Sequence, residues 1–402
     1  MNIHSNLLDS VPELVAIRRD LHAHPELGLE EVRTSELVAR ELESYGYKVT
    51  RGLARTGVVA TLSNGTSRKS VGIRADMDAL PILEETGLDY ASRTPGLMHA
   101  CGHDGHTTML LGAARAIAER RAFDGTVHLI FQPAEENFGG ARIMVEEGLF
   151  EKFPCDAVFA LHNDPRSPFG QFALRDGPVC AAVDEARITV NGSGGHGAEP
   201  EATADPIVCG ASIVMALQTI VSRNIHACDP TVVTVGSFHA GTASNIIPAR
   251  AEMVVGIRSF DPKVRDELER RIRLIATAQA ESYGMSTTVN HERFFDATVN
   301  HTAETDFVRE LARRFAGPEK VTELQRPFMG SEDFAFMLKE KPGCYFFLGG
   351  SRGEGSDRPL HHPAYNFNDD LLPIGAAFWT ELAEAYLNAG SADVPTTLSR
   401  VS

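Results

Sequence analysis

Five side chains that can bind a metal ion occur within eight residues, from His99 to His106. Cysteine thiolates, histidine imidazoles and carboxylates are the ligands that zinc and other first-row divalent ions prefer. Cys101 and His103 are one residue apart, so on an extended loop both side chains could reach one ion or two neighbouring ions. This density of ligands predicts a metal site.

Further candidate ligands come directly after predicted strands. They are Asp76 and Asp78 after strand 71–75, Glu135 and Glu136 after strand 127–131, and His162 after strand 157–161. The carboxyl ends of strands form the binding crevice of an open α/β sheet, so these groups are expected to converge. Neighbouring side chains on a strand face opposite ways, so one of the two glutamates would be a ligand and the other a free base. That division suits metal-assisted hydrolysis.

Two patterns of secondary structure divide the chain. Helical and strand-like stretches alternate in its first half, which predicts an α/β fold with a mixed, mostly parallel sheet and helices on both faces. From about Asp184 the order becomes β-α-β-β-α-β, as in a ferredoxin-like α+β module. We therefore predict a metal-binding catalytic domain of residues 1–183 and 295–402, with an inserted domain at 184–294.

Composition restricts the partners. The 402 residues are 43% hydrophobic and 23% charged, as in ordinary globular proteins, and the net charge of -16 disfavours nucleic acid. No uninterrupted apolar run approaches the roughly 20 residues of a membrane span. The six cysteines are scattered without a close framework, which argues against a secreted disulfide scaffold. We expect a cytoplasmic protein with a small-molecule substrate and neither nucleic acid nor membrane as partner.

Ordered motifs run through nearly the whole chain. They are His24-Pro25-Glu26-Leu27-Gly28, Arg74-Ala75-Asp76-Met77-Asp78-Ala79-Leu80-Pro81, His99 to His106, Gln132-Pro133-Ala134-Glu135-Glu136, Leu161-His162, Gly194-Gly195-His196, Asn245-Ile246-Ile247-Pro248, Ser331-Glu332-Asp333-Phe334 and Leu360-His361-His362-Pro363. Together they closely resemble the M20 metallopeptidase family. The resemblance is to its amidohydrolase branch of hippurate hydrolases, N-acyl-amino-acid aminoacylases and auxin-conjugate hydrolases.

The resemblance implies a site for two divalent metal ions. Zinc or manganese is expected, and nickel or cobalt is compatible with the ligands. Glu135 matches the general base of the family. His361 is preferred to its neighbour His362 because of the motif register. The implied metal ligands are Cys101, His103, Glu136, His162 and His361, with Cys101 where related peptidases place a bridging aspartate.

The motif Asp76-Met77-Asp78 departs from the peptidase branch, where a His-x-Asp motif supplies a ligand and an orienting acid. Asp76 stands where a histidine ligand is usual, so we leave it out of the metal ligands. Asp78 keeps the orienting role. Either aspartate could instead cap a loop or pair with Arg74.

Three residues of the inserted domain match substrate-binding positions of the family. His196 matches a histidine that can reach the active site of the partner subunit and stabilise the oxyanion. Asn245 and Arg258 resemble residues that bind the substrate carboxylate or the oxyanion. The inserted domain would thus provide the dimer contact and act as a lid. The simpler alternative is that these residues are two turn residues and a charge on a sheet face.

The predicted function is hydrolysis of the amide bond of N-acyl amino acids to a carboxylate and a free amino acid, with an acetyl, benzoyl or indoleacetyl acyl group. We expect the protein to be a homodimer or a dimer-based homo-oligomer. If the substrate is a peptide, the alternative is a metal-dependent dipeptidase or exopeptidase. If the protein is not an enzyme, the alternative is an inactive metal-dependent binding protein. A serine hydrolase that uses Ser351, within the sequence Gly349 to Gly353, is also formally possible.

Overall fold

A computed structural model describes residue 3 and residues 5–137, 139–353 and 358–389. The helices are α1 (Ser5–Asp9), α2 (Val11–Ala23), α3 (Val32–Ser44), α4 (His103–Arg120), α5 (Gly140–Glu146), α6 (Leu149–Lys152), α7 (Pro206–Thr219), α8 (Pro262–Ser282), α9 (Thr302–Ala316), α10 (Ala335–Glu340) and α11 (Leu372–Asn388). The strands are β1 (Lys48–Leu53), β2 (Gly57–Asn64), β3 (Ser70–Asp76), β4 (Gly125–Gln132), β5 (Ala157–Pro168), β6 (Phe172–Leu174), β7 (Gly177–Cys180), β8 (Ala182–Asn191), β9 (Gly195–His196), β10 (Val232–Ala240), β11 (Ile246–Ile247), β12 (Arg250–Ser259), β13 (Ser286–Phe295), β14 (Thr298–Asn300), β15 (Val321–Glu323) and β16 (Gly343–Ser351).

The chain forms two compact units. Unit 1 consists of the described parts of Met1–Val179, Val299–Arg326 and Asp333–Ser402. Unit 2 consists of Cys180–Thr298 and the short segment Pro327–Glu332. The second unit is therefore inserted into the first along the sequence.

Unit 1 is built on a mixed sheet with the strand order β1-β2-β4-β3-β5-β16-β6-β15. Its centre is parallel, because β3 pairs in parallel with β4 and β5, and β5 pairs in parallel with β16. Antiparallel pairs occur where β1 meets β2, where β2 meets β4 and where β16 meets β6. The predicted α/β class with a mostly parallel sheet is confirmed.

Alternate residues of β4 show that both faces of this sheet are covered. Val127 and Leu129 join a core cluster that includes side chains of α2, α4 and α11. His128 points the other way, and its ring meets that of Phe153, the residue that follows α6. Helix α5 also packs against β4. Helices on both faces explain why every residue of β3 is buried.

Two element boundaries differ from the sequence prediction and matter for the site. Strand β5 does not end at Leu161 but continues to Pro168, because β16 pairs beside it with Phe347 opposite His162. His162 therefore lies inside a strand. The sequence pattern predicts a helix from about Thr107 to Arg121, whereas helix α4 begins at His103, directly after Gly102 in a left-handed backbone conformation.

Unit 2 has the predicted β-α-β-β-α-β order. The elements β8, α7, β10, β12, α8 and β13 follow one another, and the antiparallel sheet has the strand order β10-β12-β8-β13. This is the order of a ferredoxin-like module, which confirms that part of the predicted fold class. Fully buried side chains of α7 and α8 pack with those of the sheet in one cluster, Cys209 and Ile272 among them.

One described stretch, Pro206–Asn224, is long and apolar enough to cross a membrane by length and composition alone. A single such helix is weak evidence for a membrane span, because core helices pass the same test. Here Cys209, Ile213 and Leu217 are fully buried in the core of unit 2.

Candidate metal centre

Two groups of potential metal ligands in unit 1 share one cysteine. The ligand atoms of Cys101, His103 and His162 all lie within 4.8 Å of one another. Those of Cys101, Glu136 and His361 satisfy the same limit. The Cys101 Sγ is 3.3 Å from Nε2 of His162, and Nε2 of His361 is 3.3 Å from Oε1 of Glu136. Cys101 is thus common to two sets of potential ligands, which would suit two neighbouring divalent ions.

The turn between Cys101 and His103 depends on glycine. Gly102 has a φ of +95°, which residues with a side chain rarely adopt. A Cβ atom at this position would lie 2.4 Å from Oδ1 of Asn163 and 2.9 Å from the hydroxyl of Tyr365. The bare backbone therefore lets the thiol and the first imidazole of α4 converge without an extended loop.

Glu135 and Glu136 lie in a turn after β4, not on a strand. One carboxylate oxygen of each lies within 4.8 Å of the other and of a ring nitrogen of His103. The expectation that the two side chains must face opposite ways is thus wrong, because the strand alternation on which it rested ends at Gln132. Both carboxylates reach the same cluster.

A buried carboxylate holds this turn. The backbone N–H of Ala134, whose φ is +56°, donates to Oε1 of Glu31 at 2.8 Å. The hydroxyl of Thr56 donates to Oε2 of Glu31 at 2.6 Å. Burial raises the pKa of the Glu31 carboxyl to about 7, and the nearby Asp78 adds to the increase, whereas the Thr56 hydrogen bond opposes it.

Asp78 contacts both halves of the site. Its Oδ1 is 3.2 Å from Nδ1 of His103, and its Oδ2 accepts the backbone N–H of Glu136 at 2.9 Å. A carboxylate on the far nitrogen of a histidine fixes the ring orientation and leaves the near nitrogen for an ion. Nε2 of His103 and Oε1 of Glu136 are buried and have no hydrogen-bond partner among the described residues. Orphaned atoms of this kind fit a bound cation.

Asp76 is fully buried, and both of its oxygens are engaged. Oδ2 accepts from Nη1 of Arg74 at 2.7 Å, and Oδ1 is 2.6 Å from Nδ1 of His106. Ligand atoms of Asp76, His103 and His106 also lie within 4.8 Å of one another, so geometry alone would admit it as a ligand. Burial would raise the pKa of Asp76, but His103, His106 and Arg74 hold it well below its usual range.

A bound cation would compete with protons for two side chains of the cluster. Burial raises the pKa of the Cys101 thiol well above its usual range, and Glu136, Glu135 and Asp76 add to the increase. Burial would lower the pKa of His103, but Asp76, Asp78 and Glu136 raise it to about 10. Thiolate and neutral imidazole are the forms that bind metal, so a divalent ion must displace these protons. The residues present fit a pair of divalent ions.

The three candidate residues of unit 2 lie in two places. His196 on β9 pairs with Ile246 on β11, and the carbonyl of Asn245 accepts the N–H of Gly197 at 2.8 Å, so His196 and Asn245 are neighbours on an exposed edge. Arg258 lies half-buried on β12, where its Nη1 donates to the carbonyl of Ile257. Burial lowers the pKa of Arg258, and the charge of Asp184 opposes the decrease.

Sequence reasoning missed two residues that support the site. Glu31 precedes α3 in the sequence, which is typical of an ordinary helix start, so nothing local indicated its contact with Ala134. Asn163 offered a signal, because an amide directly after His162 within an apolar strand must find a buried partner.

The chain is similar to known hydrolases over nearly its whole length. The model of "Peptidase family M20/M25/M40" matches residues 72–385. The hippurate hydrolase of Campylobacter jejuni is 42% identical over 387 residues, which are 96% of this chain and 100% of that protein. An IAA-amino acid hydrolase of Arabidopsis thaliana is 40% identical over 380 residues, 93% of this chain and 86% of the relative.

A solved structure has the same fold. The Bacillus subtilis YXEP protein, described as a dinuclear metal binding peptidase from the M20 family, superposes with a TM-score of 0.81 at 32% identity. The match covers 94% of this chain and 99% of that one.

We expect Gly102→Ala to weaken metal binding about tenfold or more, because the new methyl group collides with the Asn163 amide and shifts the turn. Binding is measured by competition with a chelator. The matched control is Gly96→Ala, since Gly96 has a φ of +87° and nothing within 4 Å of an added Cβ. Both variants should lose roughly 1–2 kcal/mol for the backbone conformation, but only Gly102→Ala should lose metal. Equal metal affinity in the two variants would contradict the role of the turn.

We expect Glu31→Gln to stabilise the metal-free protein relative to wild type increasingly as the pH rises from about 4.5 to about 7, with no further change above. The raised pKa means that the folded state holds the Glu31 proton more tightly, so wild type loses this stability as pH rises through that window. The free energy of unfolding in denaturant, measured at several pH values, tests this. Glu43→Gln, at an exposed position, should show no such trend. A pH-independent difference for Glu31→Gln would refute it.

Proposed function

Because the chain belongs to peptidase family M20/M25/M40, we propose that it is a metal-dependent amidohydrolase that cleaves N-acyl amino acids to a carboxylate and a free amino acid. The observation that carries this proposal is the position of Cys101 in both ligand groups. A shared thiolate supports a site for two ions, and a carboxylate oxygen of Glu135 lies within 4.8 Å of ligand atoms of His103 and Glu136. The proposed ligands are Cys101, His103, Glu136, His162 and His361.

The residues divide the chemistry among them. When bound, divalent ions polarise an amide carbonyl and lower the pKa of a water molecule. Glu135 would accept the proton of the attacking water and pass it to the leaving amine. Asp78 holds the His103 ring and the backbone of Glu136, so the ligands are oriented before substrate arrives. Cys101, His103 and His162 are buried, which strengthens these interactions, whereas the His361 side chain is 52% exposed.

The identity of the ions is part of the proposal. Zinc suits the thiolate, whereas imidazole and carboxylate ligands also accept manganese, nickel or cobalt. Glu135 supports catalysis rather than passive metal binding, because a metal-binding protein has no need of a general base beside a ligand. A dipeptidase or exopeptidase activity remains the alternative in substrate.

The substrate class follows from the relatives. One is named for hippurate, a benzoyl amino acid, and another for IAA–amino acid conjugates. These names support an acyl group of benzoyl or indoleacetyl type, and an acetyl group is proposed beside them. His196, Asn245 and Arg258 are proposed to bind the oxyanion or the substrate carboxylate, with unit 2 acting as the lid.

A homodimer and a cytoplasmic location are also proposed. Support for a dimer comes from exposed apolar side chains on α7, where Val208 is 52% and Met215 is 71% exposed. Contiguous exposed apolar surface favours association.

The first test is hydrolysis of N-acetyl, N-benzoyl and indoleacetyl amino acids, with and without a chelator and with added zinc or manganese. We expect release of free amino acid that the chelator abolishes and metal restores. A dipeptide in the same panel tests the alternative substrate. Release that a chelator spares and Ser351→Ala abolishes would instead establish the serine hydrolase.

The second test is Glu135→Gln. Removal of the proton acceptor should lower kcat by about 10²–10⁴-fold while metal content, measured by mass spectrometry, stays at the wild-type value. Glu136→Gln should lose metal as well as activity. Glu146→Gln, at an exposed position on α5, is the neutral control. Unchanged turnover in Glu135→Gln with normal metal content would refute the mechanism.

A further inference from the structure

Asp76 is the starting point, because it stands where the resemblance implies a histidine ligand. Its anchor is rigid. Besides the Asp76 bond, Arg74 donates from Nε to Gln132 at 2.7 Å and from Nη2 to Asp333 at 3.1 Å. The Gln132 amide also donates to Asp333 at 2.8 Å, and all four residues are buried. A buried, fully connected network of this kind fixes the position of the Asp76 carboxylate.

His106 connects this anchor to Asn163. Its Nδ1 faces Oδ1 of Asp76 at 2.6 Å, and its Nε2 is 2.7 Å from Oδ1 of Asn163 and 3.1 Å from the backbone nitrogen of Asn163. The Asn163 amide is held on its other side, where Nδ2 donates to the hydroxyl of Tyr365 at 2.6 Å. The four side chains thus form a continuous chain of hydrogen bonds through the buried interior of unit 1.

Asn163 is in turn connected to the metal centre at two points. Its carbonyl oxygen accepts Nδ1–H of His162 at 2.8 Å, which leaves Nε2 of His162 as the free nitrogen, 3.3 Å from the thiol of Cys101. Its side-chain oxygen limits the space beside Gly102, in the turn that carries Cys101. One residue therefore orients two proposed ligands.

We propose that Asp76, His106 and Asn163 form a positioning chain that holds His162 and the Cys101 turn in place, so that Asp76 supports the metal centre without binding an ion. This inference rests on the metal centre of the proposed function. Metal-bound histidines depend on the group that their second nitrogen contacts, and loss of such a group typically weakens metal affinity 10–100-fold.

The competing possibility is that Asp76 binds an ion together with His103 and His106, whose ligand atoms are near enough. The observed contacts favour the positioning role. Each oxygen of Asp76 already faces the buried Arg74 or the His106 ring, so an ion on Asp76 would compete with one of these contacts. A third observation agrees, since Nε2 of His103 is 3.8 Å from Asp76 and has no hydrogen bond to it, whereas its Nδ1 contacts Asp78.

The experiment measures cobalt and zinc binding to the full-length protein, with stoichiometry, affinity by chelator competition and the visible absorption of the cobalt–thiolate form as readouts. The variants are His106→Gln, Asn163→Ala and Tyr365→Phe, which removes only the outer hydroxyl. His128→Gln is the matched control. His128 is also buried and forms a hydrogen bond to Thr61 at 2.9 Å, but it lies on β4 and is not part of the positioning chain.

We expect His106→Gln and Asn163→Ala each to lower metal affinity 10–100-fold and to shift the cobalt spectrum, with two ions still bound at saturation. The double variant His106→Gln/Asn163→Ala should lose no more metal affinity than the single variant with the larger loss. Tyr365→Phe should change the same readouts less, and His128→Gln should lower thermal stability with wild-type affinity and spectrum. The proposal is wrong if His106→Gln and Asn163→Ala keep wild-type metal affinity and cobalt spectrum, as His128→Gln should. It is also wrong if Asp76→Asn lowers the number of ions bound at saturation from two to one.

These readouts do not depend on turnover. A wild-type protein that binds two ions but hydrolyses no amide would overturn the proposed function and leave the positioning chain intact. Unchanged metal affinity in His106→Gln and Asn163→Ala would overturn the proposed positioning chain and leave the proposed function intact.

Discussion

The thiol of Cys101 is buried among carboxylates, and the structure of unit 1 around it depends on this placement. A buried negative charge is costly unless a positive charge compensates it, and here burial and three acidic neighbours all favour the protonated thiol. Two features nevertheless bring acceptors together at this point. Gly102 permits the turn, and Asp78 holds both His103 and the backbone of Glu136. Folding thus assembles a cluster in which a divalent cation would take the place of the protons on the Cys101 thiol and the His103 ring.

The first turn of α4 connects the ligand cluster to the rest of unit 1. Asp104 pairs with the buried Arg18 and His22 of α2, so one side of the turn is fixed to a neighbouring helix. His106 faces the opposite way and contacts Asp76 at the end of β3. His103 lies between these two attachments with its outer nitrogen on Asp78. The rigidity of one helical turn therefore sets the direction of a proposed ligand, which is the precision that a metal site requires.

Local sequence predicted much of this architecture, and long-range contacts account for what it missed. The ferredoxin-like order of unit 2 and the strands that deliver Asp78 and Glu136 follow from apolar periodicity, which each segment carries within itself. The length of β5 does not, because its pairing partner β16 lies far along the chain, and only that pairing places His162 inside a strand. The turn of Glu135 was also unpredictable, since Glu31 stabilises it from more than one hundred residues away. Local patterns identified the proposed ligands, whereas the residues that orient them are found only in three dimensions.

The contacts of Asp76 show how an aspartate is accommodated at this position. Arg74 and the His106 ring engage its two oxygens, but its negative charge still raises the pKa of Cys101 and of His103. Asp76 would therefore favour a bound cation from outside the set of ligands. In the proposed site the Cys101 thiolate, Glu136 and Asp78 would add three further negative charges, which the positive charge of two divalent ions would offset.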